Sequence, residues 1–300
     1  MAISLDSLRK QNTIGGEATV SGFGYWNNKD VNLTFRPAES GTGITFVRSD
    51  LESQVRIPAR VEHRIESPRR TVLSHGGATI EMIEHVMAAC AGLQIDNCEV
   101  WCDGPEMPGC DGSSKAFVEA LQSVGVVPQS EARPALVVVE NSRVNDDDGG
   151  WVEARPLGRK EEPGMYLQYR LDYGINHIIG RQTYRCKFST QLFCDEIATA
   201  RTYLLKEEAD WMRQQGLGLR TTYQDLLVFA DPEGVIENEL RFEDECVRHK
   251  VLDMIGDLSL SGFDLIGNFV ACRSGHRLNA MLVKALLSEG KIIDAPHAVA

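Results

Sequence analysis

The order of strand-like and helix-like segments constrains this 300-residue chain more than any single motif. EATVSGFGYW, VNLTFRPA and GITFVRSD read as strands near the N-terminus. IEMIEHVMAACAGL then reads as a helix closed by Gly92, and NCEVWCDG as a strand. SSKAFVEALQSVG reads as a second helix, with Ser113 or Ser114 as N-cap and Gly125 as its stop. VVPQSEARPA, polar and carrying two prolines, predicts a linker around residues 126–135. After it the plan recurs. ALVVVENSRV, WVEARP, MYLQYRLDYG and QTYRCKFS read as strands, with helical segments near 190–200 and 205–215 and a strand-like DLLVFA. The helix RFEDECVRHKVLDMIGDLSLSG, the strand NFVACRSG and the helix HRLNAMLVKALLSEG follow. Each half is several strands, then helix, strand, helix. Many folds share that order; here it predicts an α+β chain and hints at a duplicated unit, each half a sheet covered by helices. Placing the boundary at the linker gives units of residues 1–128 and 134–300.

A net charge of −12 and a pI of about 5.1 exclude a general binder of nucleic acid or anionic membrane. An anionic ligand would have to meet a few placed Lys, Arg or backbone N–H groups. The opening MAISLDSLRKQNT lacks the apolar core of a signal peptide. No apolar stretch approaches the roughly 20 residues of a membrane helix. The expectation is a soluble, cytoplasmic protein without stable membrane insertion. Its eight cysteines form no CxxC pair and read as reduced, mostly buried thiols.

Along the helix that opens at Arg241, His249, Asp253 and Asp257 recur every fourth residue. Positions i, i+4 and i+8 drift only about 80° around a helix. On this helix alone the favoured reading is a solvated face comprising His249, Lys250, Asp253 and Asp257, opposite Val247, Val251, Leu252, Met254, Ile255 and Leu258. The sharper reading is that His249 and Asp253 share a metal ion, whose third ligand comes from elsewhere. Among the other histidines, His63 and His75 lie in polar, loop-like sequence and His297 in the C-terminal tail, and each reads as a surface residue. His177 ends a strand-like run. His85 follows Glu84 on an otherwise apolar helix, either as a satisfied core histidine or as a ligand with a carboxylate beside it. His276 sits where a strand turns into a helix, a common place both for site residues and for ordinary first-turn histidines. There is no HExxH motif.

Taken together, RFEDE-xx-RHK-xxD-xIGDL, IEHVMAACAGLQIDN, DGPEMPGCDGS, EIATARTY and SGHRLN resemble, in order and spacing, the UDP-3-O-acyl-N-acetylglucosamine deacetylases. The resemblance runs from about residue 10 to residue 290. It implies two similar domains, each a sheet packed on paired helices, with the active site between them. It also implies zinc-dependent removal of an N-acetyl group in the committed step of lipid A synthesis. Carried over position by position, His85, His249 and Asp253 are the metal ligands and Glu84 the general base. His276 is the cationic general acid and Asp257 its orienting carboxylate. Lys250 and Thr202 match substrate contacts, and Arg273 stands where the family usually has lysine. Two His and one carboxylate would also suit iron(II). The implied partner is an acylated UDP-N-acetylglucosamine, met by a monomer, and its acyl passage is expected along residues 177–215.

The chain departs from the family where GFGYWNNKDV replaces a GLHTG-like turn, and where Glu81-Met82-Ile83 replaces a Ser-Thr pair before Val-Glu-His. These departures keep two other readings in play: a zinc deacetylase of the same fold acting on a related N-acetyl sugar nucleotide, and a silent ligand-binding paralogue. The full set Glu84, His85, His249, Asp253, Asp257 and His276 argues against silence.

Overall fold

The computed structural model describes residues 8–294. The fold is α+β and contains two sheets with one shared strand order. The first comprises β1 (Ala18–Phe23), β2 (Asp30–Pro37), β3 (Ile44–Arg48), β4 (Arg56–Pro58) and β5 (Cys98–Cys102), laid out as β1-β2-β5-β3-β4. Strand β5 runs antiparallel to β2 and parallel to β3. The second has seven strands: β6 (Ser142–Asn145), β7 (Trp151–Arg155), β8 (Met165–Asp172), β9 (Arg181–Lys187) and β10 (Asp264–Cys272) repeat the plan of the first, and Ala135–Val137, paired with the start of β10, and Lys291–Ile293, paired with Ala135–Val137, extend it. Here β10 occupies the centre, antiparallel to β7 and parallel to β8, with β6 and β9 outermost in the order β6-β7-β10-β8-β9. The doubled order seen along the chain is thus a doubled topology.

Alternation drives the strands. In β2, Val31, Leu33 and Phe35 point inward and are almost fully buried, while Asp30 and Asn32 face water. The helices that flank each central strand cover its sheet. α1 (Glu84–Gly92) and α2 (Lys115–Val124) bracket β5 in sequence. α4 (Glu245–Ser259) and α5 (His276–Glu289) bracket β10, and α3 (Lys206–Gln214) lies between two strands of a small separate sheet, Tyr203–Leu205 and Leu227–Ala230. α2 is amphipathic and buries Phe117, Val118 and Leu121. α1 is buried on nearly every side, as expected of a helix that is apolar all round.

α1 packs against α4. Their approach is set by Gly256: a methyl group there would lie 2.1 Å from the Glu84 carbonyl oxygen. The backbones therefore touch with no side chain between them, at the residue that begins α1.

Three expectations need correction. Residues 126–132 are not a loose linker but a strand paired antiparallel with Lys10–Ile14; its one proline, Pro128, is tolerated because that ladder has only two strands, and Pro134 lies beyond it. The first long helix begins at Glu84 rather than Ile80. Residues Ala78–Glu81 are a strand, and the Glu81 backbone is bonded to Pro105 and Met107. Met82 then turns the chain at a φ of 57°. Finally, ALVVVENSRV forms two short strands, Ala135–Val137 and Ser142–Asn145, rather than one.

Replacing Gly256 with alanine is expected to force α1 and α4 apart and to cost about 1–3 kcal/mol, the usual range for overpacking. Urea denaturation of the variant beside the parent measures this.

Candidate metal centre

Glu84 and His85 form the first turn of α1, and α4 runs alongside with His249, Asp253 and Asp257 on successive turns. All five are buried: His249, Asp253 and Asp257 are 3%, 4% and 1% exposed. The solvated-face reading of α4 is therefore wrong. The face is polar because it meets α1 and a cavity, not because it meets bulk water.

The His85 Nε2 and His249 Nε2 atoms lie 3.6 and 3.4 Å from the Asp253 Oδ1. The ligand atoms of the three residues all fall within 4.8 Å of one another. Bonds of about 2.0–2.2 Å from one ion to N and O ligands place those ligands roughly 3.3 Å apart, so the set fits zinc. The second atoms of these groups are also engaged. The Ala200 carbonyl can only accept, so the His249 Nδ1 at 3.1 Å carries its proton and leaves the Nε2 lone pair free. Lys250 donates to the other Asp253 oxygen at 2.9 Å. Burial drives the His249 pKa down to about 3 against the pull of Asp253, which keeps the ring neutral, as a ligand must be. Burial opposes the charge on Asp253, but the Lys250 ammonium and a hydrogen bond from His85 act against it and hold the carboxyl well below the usual range.

A second constellation adjoins the first. The His276 Nδ1 donates to Asp257 Oδ2 at 2.9 Å, and its Nε2 lies 3.8 Å from Glu84 Oε1. Burial disfavours the imidazolium, yet Asp257 and then Glu84 raise the pKa to about 9. Glu84 moves up from the ordinary carboxyl value because burial prevails over the nearby His276 and His85. The buried His249 and the partly buried His276 are thus driven in opposite directions, one neutral and one cationic.

Two further residues belong here that sequence reasoning assigned no role. Thr71 donates its backbone N–H to Glu84 Oε2 at 3.0 Å and its hydroxyl to Asp257 Oδ1 at 2.6 Å. Asn279 donates to Asp257 Oδ2 at 2.8 Å. Asn279 lies one turn beyond His276 on α5, and that i, i+3 spacing was the available signal. Thr71 sits in a strandless approach to Val72 and offered none.

His85, His249, Asp253, Glu84 and His276 line a cavity of about 680 Å³, together with Thr202, Lys250 and Arg273. The Thr202 hydroxyl donates to the Gly112 carbonyl at 3.0 Å and lies 3.2 Å from His249 Nε2. Arg273 is at the exposed rim, its backbone at a φ of 48°. The cavity wall away from the ligands is apolar and includes Met82, Met212, Leu217, Leu226 and Val228. Of the stretch 177–215, only residues 202–213 contribute to the lining, and the segment 217–228 adds Leu217, Tyr223, Leu226 and Val228. His63 and His75 pack against each other with ring centroids 4.5 Å apart, and neither they nor His177 line the cavity. His297 lies outside the described residues.

Residues 11–288 match the family model of the UDP-3-O-acyl N-acetylglycosamine deacetylases. A UDP-3-O-acyl-N-acetylglucosamine deacetylase of Geobacter sp. (strain M21) is 41% identical over 279 residues, covering 92% of this chain and 88% of its own. The protein of that name from Thermosynechococcus vestitus is 39% identical, covering 93% of this chain and 94% of its own. The one from Brucella ovis is 38% identical, with 93% and 96% covered.

Removing a ligand and removing a neighbour should separate cleanly. His249→Ala is expected to lose zinc affinity at least about tenfold, whereas Asp257→Asn retains full zinc occupancy. Metal analysis after dialysis against a weak chelator distinguishes the two.

Proposed function

The chain belongs to the UDP-3-O-acyl N-acetylglycosamine deacetylase family, and from that premise we propose that it removes the N-acetyl group of UDP-3-O-acyl-N-acetylglucosamine, the reaction that commits material to lipid A. The observation carrying this reading is the convergence, in one cavity, of a His85–His249–Asp253 ligand set with a buried carboxylate and a cationic histidine. Zinc held by those three residues supplies a Lewis acid for the acetamide carbonyl and acidifies water beside it.

The chain's own residues do the rest. Glu84, with Oε2 fixed by the Thr71 N–H, turns Oε1 to the cavity and takes the proton of the attacking water. Its raised proton affinity suits a base working near neutral pH. His276 enters as the cation. Its Nε2–H faces the developing oxyanion and then passes its proton to the departing nitrogen as the C–N bond breaks. Acetate and the free amine leave. Asp257, held by Thr71 and Asn279, fixes the ring through Nδ1 and maintains the charge on it. The Thr202 hydroxyl, which here donates to the Gly112 carbonyl, would turn from it to donate to the oxyanion. Lys250 and Arg273, at the same cavity, provide positive charge for the diphosphate in a chain whose net charge is −12. The apolar wall receives the acyl chain.

In this reading the chain works as a monomer of two similar domains, residues 1–128 and 134–300, with the catalytic groups where α1 of one meets α4 of the other. The shared strand order of the two sheets supports that division. Its eight cysteines are free thiols, as a reducing compartment keeps them, and we place the enzyme in the cytoplasm. Among the described residues no helix is long and apolar enough to cross a membrane.

Acetate release from the acylated substrate should disappear on chelation and return with zinc. A folded, zinc-loaded protein that releases none would overturn the assignment. Glu84→Ala should keep its metal and lose turnover by about a hundredfold or more. Because His276 acts as a cation, kcat should fall as pH rises through about 9. Asp257→Asn removes the interaction that raises this pKa, so its pH–rate profile should break at lower pH.

A further inference from the structure

The loop that departs from the family turn is built into the wall of the cavity. Tyr25 and Trp26 both line it. The Trp26 and Asn27 backbone N–H groups donate to the two oxygens of the buried Glu106, at 2.7 and 2.9 Å. The Arg70 guanidinium lies 4.1 Å over the Trp26 ring. Arg70 is in turn held by Glu81 at 2.8 Å, so its charge is neutralised and its flat face is committed to the indole. Two separate departures in sequence, at Trp26 and at Glu81, are therefore one assembly joined through Arg70.

The same loop is fastened across the cavity to the segment after α3. Tyr25 donates its hydroxyl to the Asp225 carbonyl at 2.7 Å. The Asn28 side chain accepts from the Arg220 N–H at 3.1 Å, and Arg220 pairs with Asp30 at 2.7 Å. That segment supplies Leu217, Tyr223 and Leu226 to the apolar wall. Both pieces of chain therefore line one cavity, and the Trp26 indole among that lining is held by the Arg70 stack.

We propose that Trp26 is a specificity-determining residue that sets the upper length of the acyl chain this site accepts. The proposal rests on the deacetylase reading and deepens it. Glu106 fixes the backbone of Trp26, Arg70 fixes its ring, and Glu81 fixes Arg70. The indole consequently cannot swing aside for a longer chain as an unstacked side chain could. Glu81 and Arg70 act as positioning residues, through Trp26.

The test is a series of substrates whose acyl chains lengthen in even-numbered steps, turned over by the zinc-loaded parent, Trp26→Ala, Trp26→Phe and Arg70→Lys proteins. In Trp26→Ala the kcat/KM ratio of longer to shorter chains should rise about tenfold for each pair of newly accommodated methylenes, given the transfer free energy of a buried methylene. Trp26→Phe should shift in the same direction by less. Arg70→Lys keeps a charge for Glu81 but loses the flat stack, so it should shift likewise. Zinc content should be unaltered in all three. Chain-length profiles in Trp26→Ala and Trp26→Phe that superimpose on the parent would sink the proposal. Acetate release by the parent decides the deacetylase reading separately. If there is none, that reading fails, and calorimetric binding of the same series to the parent and Trp26→Ala still reports whether Trp26 limits chain length.

Discussion

Everything in the centre depends on two helices touching backbone to backbone. Only glycine at position 256 lets α4 reach the first turn of α1. With that approach, His85 from α1 and His249 and Asp253 from α4 bring their ligand atoms within 4.8 Å of one another. A side chain at that point would open the crossing and separate the ligands. Helix packing and metal geometry are one constraint here, because the residue whose carbonyl meets Gly256 is Glu84 itself.

The electrostatics follow from the same crossing. Two histidines take different charge states, one neutral and one cationic, because their neighbours differ. His249 is desolvated and its nearest carboxylate is shared with His85 and Lys250. His276 has Asp257 to itself, and that carboxylate is anchored by Thr71 and Asn279. Environments that pull like groups apart in proton affinity are how one cavity holds both a ligand and an acid. Thr71 ties the arrangement together by bonding the base with its N–H and the acid's partner with its hydroxyl.

Much of this was legible in the residues. The repeat of strands followed by helix, strand, helix anticipated the shared strand order, because alternation and 3.6-residue periodicity survive in both halves. His249, Asp253 and Asp257 were visible as a stripe, but a stripe looks the same whether it faces water or another helix. Burial is a tertiary fact, and only the partner helix decides it. The strand at residues 126–132 was illegible for a related reason. Its pairing with Lys10–Ile14 joins segments more than a hundred residues apart, and Pro128 within it and Pro134 just beyond it argue locally for a loop. Thr71 escaped because a backbone N–H has no sequence signature. The link between Trp26 and Glu81 runs through Arg70 in space and through nothing in sequence spacing.

The ligands also have a meaning in time. One stands at position 85 and the other two at 249 and 253, with six of the twelve strands of the two large sheets falling between them. A ribosome-bound chain that has not yet delivered α4 offers one ligand of this set, and a lone imidazole holds a divalent ion poorly beside a three-ligand site. Loading is thereby deferred until α4 has been made and has docked on α1. Products truncated before α4 lack two of the three ligands.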